Sequence, residues 1–278
     1  MEFRRYDSIT PYIKDVLPHL VEFEAQNNLF IGLATSGKAR AAANWLLATV
    51  SDKGCVSIAA LCAQPFELLL FETGNKQNDE SLECLARELR RIGFDAPGVM
   101  AESGLAGRFA EQFFEAERIK LHMTINAMRL DKPAEYAVAK GACRELQQRD
   151  MSFAPYWERA FSEDCRTRVF TIEENTRRLK TRLGKGTHLI WEDERPVSQA
   201  VHGRDTPNGA VINGVYTPPQ HRGQGYATSV VAELSNKLLA RGKSFCCLFA
   251  DADNPASRKI YAKLGYMDVC ELKVLKSV

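Results

Sequence analysis

The chain lacks a clean run of about 20 apolar residues. Its most apolar stretch, from Val56 to Phe71, is interrupted by Gln64, Pro65 and Glu67, so no membrane-spanning helix is predicted. The amino-terminal MEFRRYDSIT carries no apolar leader segment, which predicts a cytoplasmic location. Neither sign of charge dominates: 37 Lys and Arg face 35 Asp and Glu, a net charge of +2. That balance argues against nucleic acid as a partner. Cysteine occurs eight times, but never at the two-residue gap of a zinc-ligand pair, and no two histidines pair at i+3 or i+4. No metal site is predicted, and the thiols read as reduced. The glycines and prolines show no triplet period, which excludes collagen.

What is present is ordinary for a globular protein. The 278 residues are 45% hydrophobic and 26% charged, enough for about two domains. Lys132-Pro133 breaks the pattern midway, which predicts domains at 1–131 and 132–278. The first half is net acidic and the second net basic, so an anionic ligand is expected in the second.

Each half reads as helix, antiparallel strands, helix, strand, helix, strand. In the first half, apolar residues from Ile9 to Tyr12, Val16 and Leu20 recur at helical spacing. Strands are predicted at Trp45–Val50, Val56–Leu61 and Phe66–Phe71, and helices at Asp79–Ile92 and Leu105–Ile119. The repeated order predicts an α+β fold of two duplicated units.

The informative stretch runs from Val211 to Gly265. A strand ends at Pro218-Pro219, which cannot extend a ladder. The loop Arg222-Gly223-Gln224-Gly225 then opens a helix at Tyr226-Ala227-Thr228. First-turn N–H groups lack intrahelical partners and point outward at the positive end of the helix dipole. Two glycines allow close backbone approach, and Arg222 adds a charge, so a diphosphate fits. The loop is not a dinucleotide fingerprint, which would need glycine at Thr228. Further on, Asn254-Pro255 reads as a helix cap followed by proline at the first helical position. Tyr261 lies seven residues on, two turns along the same face.

These residues resemble the GNAT acetyltransferase superfamily. Its Arg/Gln-x-x-Gly-x-Gly/Ala motif is matched by Arg222-Gly-Gln-Gly225-Tyr-Ala227. Its Asn-to-Tyr helix, ending in Leu-Gly-Tyr/Phe, is matched by Asn254, Tyr261 and Leu264-Gly265-Tyr266. The likeness covers about residues 135–278, and the whole chain is similar to tandem-GNAT bacterial proteins with a degenerate first copy. The resemblance implies two GNAT-like units, each a mixed, mostly antiparallel sheet flanked by helices. It also implies acetyl-CoA as donor and an N-acetyltransferase acting by direct attack of a primary amine. The acceptor would be a small-molecule amine or an amino-terminal group. By the same resemblance, Val215 and Thr217 would pair with the pantetheine arm through their backbone, and residues 222–228 would bind the pyrophosphate. Asn254 would contact the pantetheine arm or its neighbourhood, and Tyr261 would sit near the thioester sulfur.

The chemistry suits these types. The N–H of Val215 or Tyr216 could polarise the thioester carbonyl. A phenol near pKa 10 can protonate a thiolate near 8.5. Asn213 is the only polar side chain before Tyr216 on its strand and is the expected acceptor-binding residue. No carboxylate lies between Ala210 and Thr217, and Asp251 or a water chain is left as the base.

Three other readings stand beside this one. A non-catalytic acetyl-CoA-binding module would not need Tyr261. An acyl-cysteine route could use Cys246 or Cys247, although no His–Cys pattern supports it. Gly32 to Ala39 nearly spells a P-loop through Gly37-Lys38, but alanine stands where the Mg²⁺ ligand belongs. In the first half, the loop at 73–80 lacks twin glycines and carries Asp79 and Glu80. That copy is expected to bind no CoA, leaving it to wall the acceptor pocket, form a homodimer or bind a regulator.

Overall fold

The computed structural model describes residues 1–36, 45–74 and 77–277. Its first series of elements is β1 (Glu2–Arg5), α1 (Ile9–Glu22), α2 (Asn28–Thr35), β2 (Leu46–Asp52), β3 (Cys55–Cys62), β4 (Leu68–Glu72), α3 (Asp79–Arg91), β5 (Gly98–Glu102), α4 (Ser103–Phe113) and β6 (Ile119–Leu130). The second is β7 (Ala142–Glu145), α5 (Ala154–Asp164), α6 (Ile172–Lys180), β8 (His188–Asp193), β9 (Arg195–Asp205), β10 (Gly209–Tyr216), α7 (Tyr226–Ala240), β11 (Phe245–Asp251), α8 (Pro255–Lys263) and β12 (Met267–Ser277). Element by element the two series are the same. Their pairings repeat too: three antiparallel contacts, then a parallel one between β4 and β5 or β10 and β11.

The chain divides into two compact units, Met1–Ala127 together with the segment from Asp268 onward, and Met128–Met267. The sequence reading had put the last strand with the second half. In the first unit the strand order is β1-β2-β3-β4-β5-β12. Strand β12 runs antiparallel to β5, with Leu272 opposite Glu102 and Lys276 opposite Gly98. Gly98 has to be glycine, because a Cβ there would lie 2.2 Å from the Leu275 carbonyl oxygen. Leu82, Leu85 and Leu89 of α3, with Leu105 and Phe109 of α4, fill a core against Leu46, Val50, Ile58 and Leu68. Each such leucine contributes about 1.5–3 kcal/mol on burial.

In the second unit the order is β11-β10-β9-β8-β7. Alternation along β8 assigns the two faces. Leu189 and Trp191 join Val230, Leu234 and Leu238 of α7 and Tyr261 of α8. Ile190, on the other side, joins Ala154 of α5 and Leu179 of α6. The sheet is therefore covered by α7 and α8 on one face and by α5 and α6 on the other.

Two elements escape the sequence pattern. Helix α2 occupies Asn28–Thr35, so Gly32 to Thr35 of the near P-loop are helical rather than loop, while Gly37, Lys38 and Ala39 lie outside the described residues. Strand β5 is only five residues long and directly precedes α4, so the helix expected from Leu105 begins at Ser103. Asn75 and Lys76 of the 73–80 loop also lie outside the described residues.

Candidate active site

Strands β10 and β11 begin side by side and then part. Their parallel register covers Gly209–Val211 against Phe245–Cys247 and ends there. On its other edge β10 is irregular against β9, with register shifts after Val211 and after Asn213. The break centres on Gly214, held at φ +58. A left-handed residue inside a strand forms a bulge and bends it. Both backbone groups of Gly214 are met by side chains: its N–H donates to Asn213 Oδ1 at 2.8 Å, and its carbonyl accepts from Gln199 Nε2 at 3.2 Å. Asn213 thus turns back on its own strand, and its amide oxygen supports the bulge. Val215 joins the α7-side core, while Tyr216 faces Trp157 of α5 with ring centroids 6.1 Å apart. Thr217 Oγ1 lies 2.8 Å from Ser198 Oγ.

After a short turn at Pro219–His221, the loop reaches α7. Gly223 and Gly225 stand at φ +81 and +83. An added Cβ would meet nothing within 4 Å at Gly223 and only Ala139 Cβ, at 3.7 Å, at Gly225. Glycine is required here by backbone conformation, not by crowding. Gly225 caps α7 without any side-chain hydrogen bond, and no acidic residue lies in the first turn. The N–H groups of Tyr226, Ala227 and Thr228 belong to that first turn, where the helix offers no partner. The side chains of Gln224 and Tyr226 have other work. The Tyr226 hydroxyl lies 2.7 Å from Asp193 and 3.1 Å from Gln224 Oε1, and the Asp193 carboxylate raises its pKa. The Tyr226 hydroxyl is thus engaged, while the Gln224 side chain is exposed and bonded through Oε1 alone. Arg222 donates from Nε to the Thr217 carbonyl at 3.0 Å and pairs with Asp164 at 2.8 Å.

Helix α8 follows β11 as the sequence predicts. Asn254 caps it by accepting from Ser257 N–H at 3.2 Å, with Pro255 in the first turn. Tyr261 is 7% exposed and packs edge-on against Tyr266 at 5.8 Å. Burial, and secondarily the neighbouring Cys165, push its phenol well above the ordinary range, so it stays protonated. Asp251, at the end of β11, is held by Arg166 at 2.7 Å, an ion pair that opposes its use as a base.

Helix α5 spans this region. Trp157 meets Tyr216, Asp164 meets Arg222, and Cys165 lies beside Tyr261. Between them sits Glu158, 9% exposed, which the sequence reading missed. Its signal was a carboxylate on the stripe that carries Ala154 and Phe161. Glu158 Oε1 accepts from Arg182 at 3.2 Å and from Gln199 Nε2 at 3.3 Å. Gln199 Oε1 in turn lies 3.1 Å from His188 Nε2. Burial holds His188 at a pKa of about 3. Because Gln199 Oε1 can only accept, the neutral imidazole carries its proton on Nε2.

The first unit offers a contrast at the equivalent points. Helix α3 is capped by Asn78, which accepts from Ser81 N–H, and its first turn holds Asp79 and Glu80. Glu72 accepts the Asn78 N–H at 2.7 Å. In α4 the cap is Glu102, and the position seven residues on is Phe109, fully buried in the core.

Residues 193–273 match the FR47-like protein family, which is GNAT-related. No curated protein matches the chain in sequence. Solved structures match over nearly the whole length. An acetyltransferase of the GNAT family from Colwellia psychrerythraea aligns with TM-score 0.62 and 11% identity, covering 100% of this chain and 99% of its own. A GCN5-related N-acetyltransferase from Sphaerobacter thermophilus aligns with TM-score 0.65 and 16% identity, covering 99% and 95%. The chain has the GNAT acetyltransferase fold. A tandem GNAT protein from the clavulanic acid biosynthesis pathway, solved without acetyl-CoA, shares it across 100% of this chain and 98% of its own, with TM-score 0.57 and 14% identity. Among the described residues, no three His, Cys, Asp or Glu side chains could jointly hold a metal ion, and no helix is long and apolar enough to cross a membrane.

Proposed function

We propose that the second unit is an acetyl-CoA-dependent N-acetyltransferase that acylates a primary amine by direct attack, and that the first unit binds no donor. The observation that carries the reading is the contrast between two equivalent helix starts. At α7 the cap is a left-handed glycine, with no side chain bonded to the first-turn amides and no acid beside them. At α3 the same place is filled by the protein's own Asn78, Asp79 and Glu80. Only the first arrangement suits an anion.

The residues fit the group. The amides of 223–228 would take the pyrophosphate, and the parted edge of β10 at Val215 and Thr217 would take the pantetheine arm. Asn254, already engaged as a cap, would border that arm rather than grip it. Bound acetyl-CoA supplies an activated thioester. The chain supplies the rest. The backbone of Val215 or Tyr216 polarises the carbonyl, and the gap between β10 and β11 orients it. Tyr261, fully protonated, donates a hydrogen bond to the departing sulfur as the C–S bond breaks. Its raised pKa makes complete proton transfer the costlier part of that step.

The test is calorimetric titration with acetyl-CoA, with ATP as control, followed by CoA release with a panel of amines. One acetyl-CoA site per chain, no ATP binding and amine-dependent CoA release are expected. Tyr261→Phe is expected to keep the donor and lose turnover by about 10²-fold or more. Unchanged turnover would remove Tyr261 from the mechanism, and absence of acetyl-CoA binding would reduce 222–228 to a structural turn.

A further inference from the structure

We propose that Glu158 is the catalytic carboxylate that takes the proton from the attacking amine, through its Oε2 atom. The proposal deepens the acetyltransferase reading above and rests on it.

The geometry singles out one oxygen. Both protein hydrogen bonds to the carboxylate, from Arg182 and Gln199, fall on Oε1, and among the described residues Oε2 receives none. Oε2 is not fully buried and keeps contact with solvent, although the side chain as a whole is 11% exposed. One oxygen of this enclosed carboxylate is thus saturated and the other is open to a further donor.

Its position matches the reaction. Oε1 lies 3.6 Å from where a Cβ on Gly214 would stand, so the carboxylate borders the bulge at which β10 leaves β11. Seven residues along α5, about 10 Å, Cys165 adjoins Tyr261. Helix α5 therefore runs from the bulge beside Glu158 toward the helix that carries Tyr261. Asp251 is engaged through both oxygens, by Arg166 and by the Asp253 N–H, and Asp164 is half exposed and paired with Arg222, whereas Glu158 is engaged through Oε1 alone.

Gln199 fixes the orientation. Its amide donates to both Glu158 Oε1 and the Gly214 carbonyl, so the carboxylate and the bulge are tied to one planar group. The charges facing Glu158 are Arg178 and Arg182 from α6 and its continuation, while His188 behind Gln199 is neutral.

The step balances. The neutral amine attacks the acetyl carbonyl, and its nitrogen becomes cationic as the C–N bond forms. One N–H proton passes to Glu158 Oε2. The C–S bond breaks, and the thiolate is protonated with Tyr261 as hydrogen-bond donor. Glu158 then releases its proton to solvent, which makes up the proton the thiolate takes, so the products are the amide and CoA thiol with no net proton. The implied acceptor is an amine that attacks as the free base.

The test pairs donor binding with turnover. Wild-type acetyl-CoA affinity and CoA release with a panel comprising a polyamine, an amino-acid amide and a peptide amino terminus establish the parent reaction. Glu158→Gln keeps an acceptor for Arg182. It is expected to bind acetyl-CoA within twofold of wild type while kcat falls at least about 10²-fold. Donor affinity retained with kcat within threefold would overturn the role of Glu158 and leave the donor site standing. Failure of wild type to bind acetyl-CoA would overturn the acetyltransferase reading itself, and this proposal with it. Should Glu158→Gln fail to fold, Glu158→Asp decides. With donor affinity retained, a kcat reduced at least tenfold supports the role, and wild-type kcat overturns it.

Discussion

Arg222 and Asp164 form an ion pair at 2.8 Å that joins the loop before α7 to the end of α5. Both side chains are about half exposed, 52% and 54%, so the pair itself adds little stability. Its consequence is for ligand binding: an arriving diphosphate must share the guanidinium with a carboxylate. Asp164→Asn is expected to tighten acetyl-CoA binding severalfold, and Arg222→Gln to weaken it about tenfold, with thermal stability little changed in both. Calorimetric titration at low and high salt checks this, and the tightening should shrink as salt rises.

Gly225→Ala tests the loop by conformation alone. The residue sits at φ +83, and an added Cβ would make only an ordinary contact with Ala139 at 3.7 Å. Left-handed backbone costs an alanine about 1–2 kcal/mol. The variant should lose that much in urea unfolding and should bind acetyl-CoA more weakly, because the strain is relieved by moving the amides that form the anion site. A stable variant with unchanged donor affinity would show that these amides do not hold the ligand.

Much of this arrangement was legible in the sequence, and the reasons differ by residue. Arg222 to Thr228 declared itself because glycine spacing reports backbone conformation directly, and Asn254-Pro255 because cap chemistry is local. The bulge at Gly214 was invisible, since it is imposed by the partner strand β9 and by Gln199. Glu158 was hidden for the same reason: its partners Arg182 and Gln199 lie 24 and 41 residues away. Helix α2 was missed, and strand β5, expected from the repeated order, was not located, because short elements carry too few residues to show a period. The placement of β12 beside β5 could not be read at all, because nothing local to Met267–Ser277 says which sheet it completes.

The first unit should take no donor even when given a better anion site. Asn78→Gly removes the side chain that caps α3, yet Asp79 and Glu80 remain in the first turn, and Glu72 and Asp79 stay bound to Arg108. The expected outcome is a loss of about 0.5 kcal/mol from the cap and an unchanged stoichiometry of one acetyl-CoA per chain. A second site in either wild type or variant would show that the first unit is not degenerate.

His188 makes a prediction about acid. It is 1% exposed, its Nδ1 has no hydrogen-bond partner, and burial, with Arg182 nearby, lowers its pKa from 6.5 to about 3. Above pH 6.5 the imidazole is neutral in folded and unfolded chains alike, and its burial carries no pH-dependent cost. Below 6.5 the unfolded chain takes up a proton that the folded chain refuses. Stability is therefore present in full above the unfolded pKa and is lost as pH falls toward about 3, at up to about 1.4 kcal/mol per pH unit from this one group. His188→Gln can still bond Gln199 but cannot titrate. Thermal melting of both proteins between pH 7.5 and 4.5 should show wild type losing several degrees more than the variant, at about 2–4 °C per kcal/mol for a domain of this size. Parallel curves would mean that His188 is protonated within the folded protein, and that the network of His188, Gln199 and Glu158 does not hold the imidazole neutral.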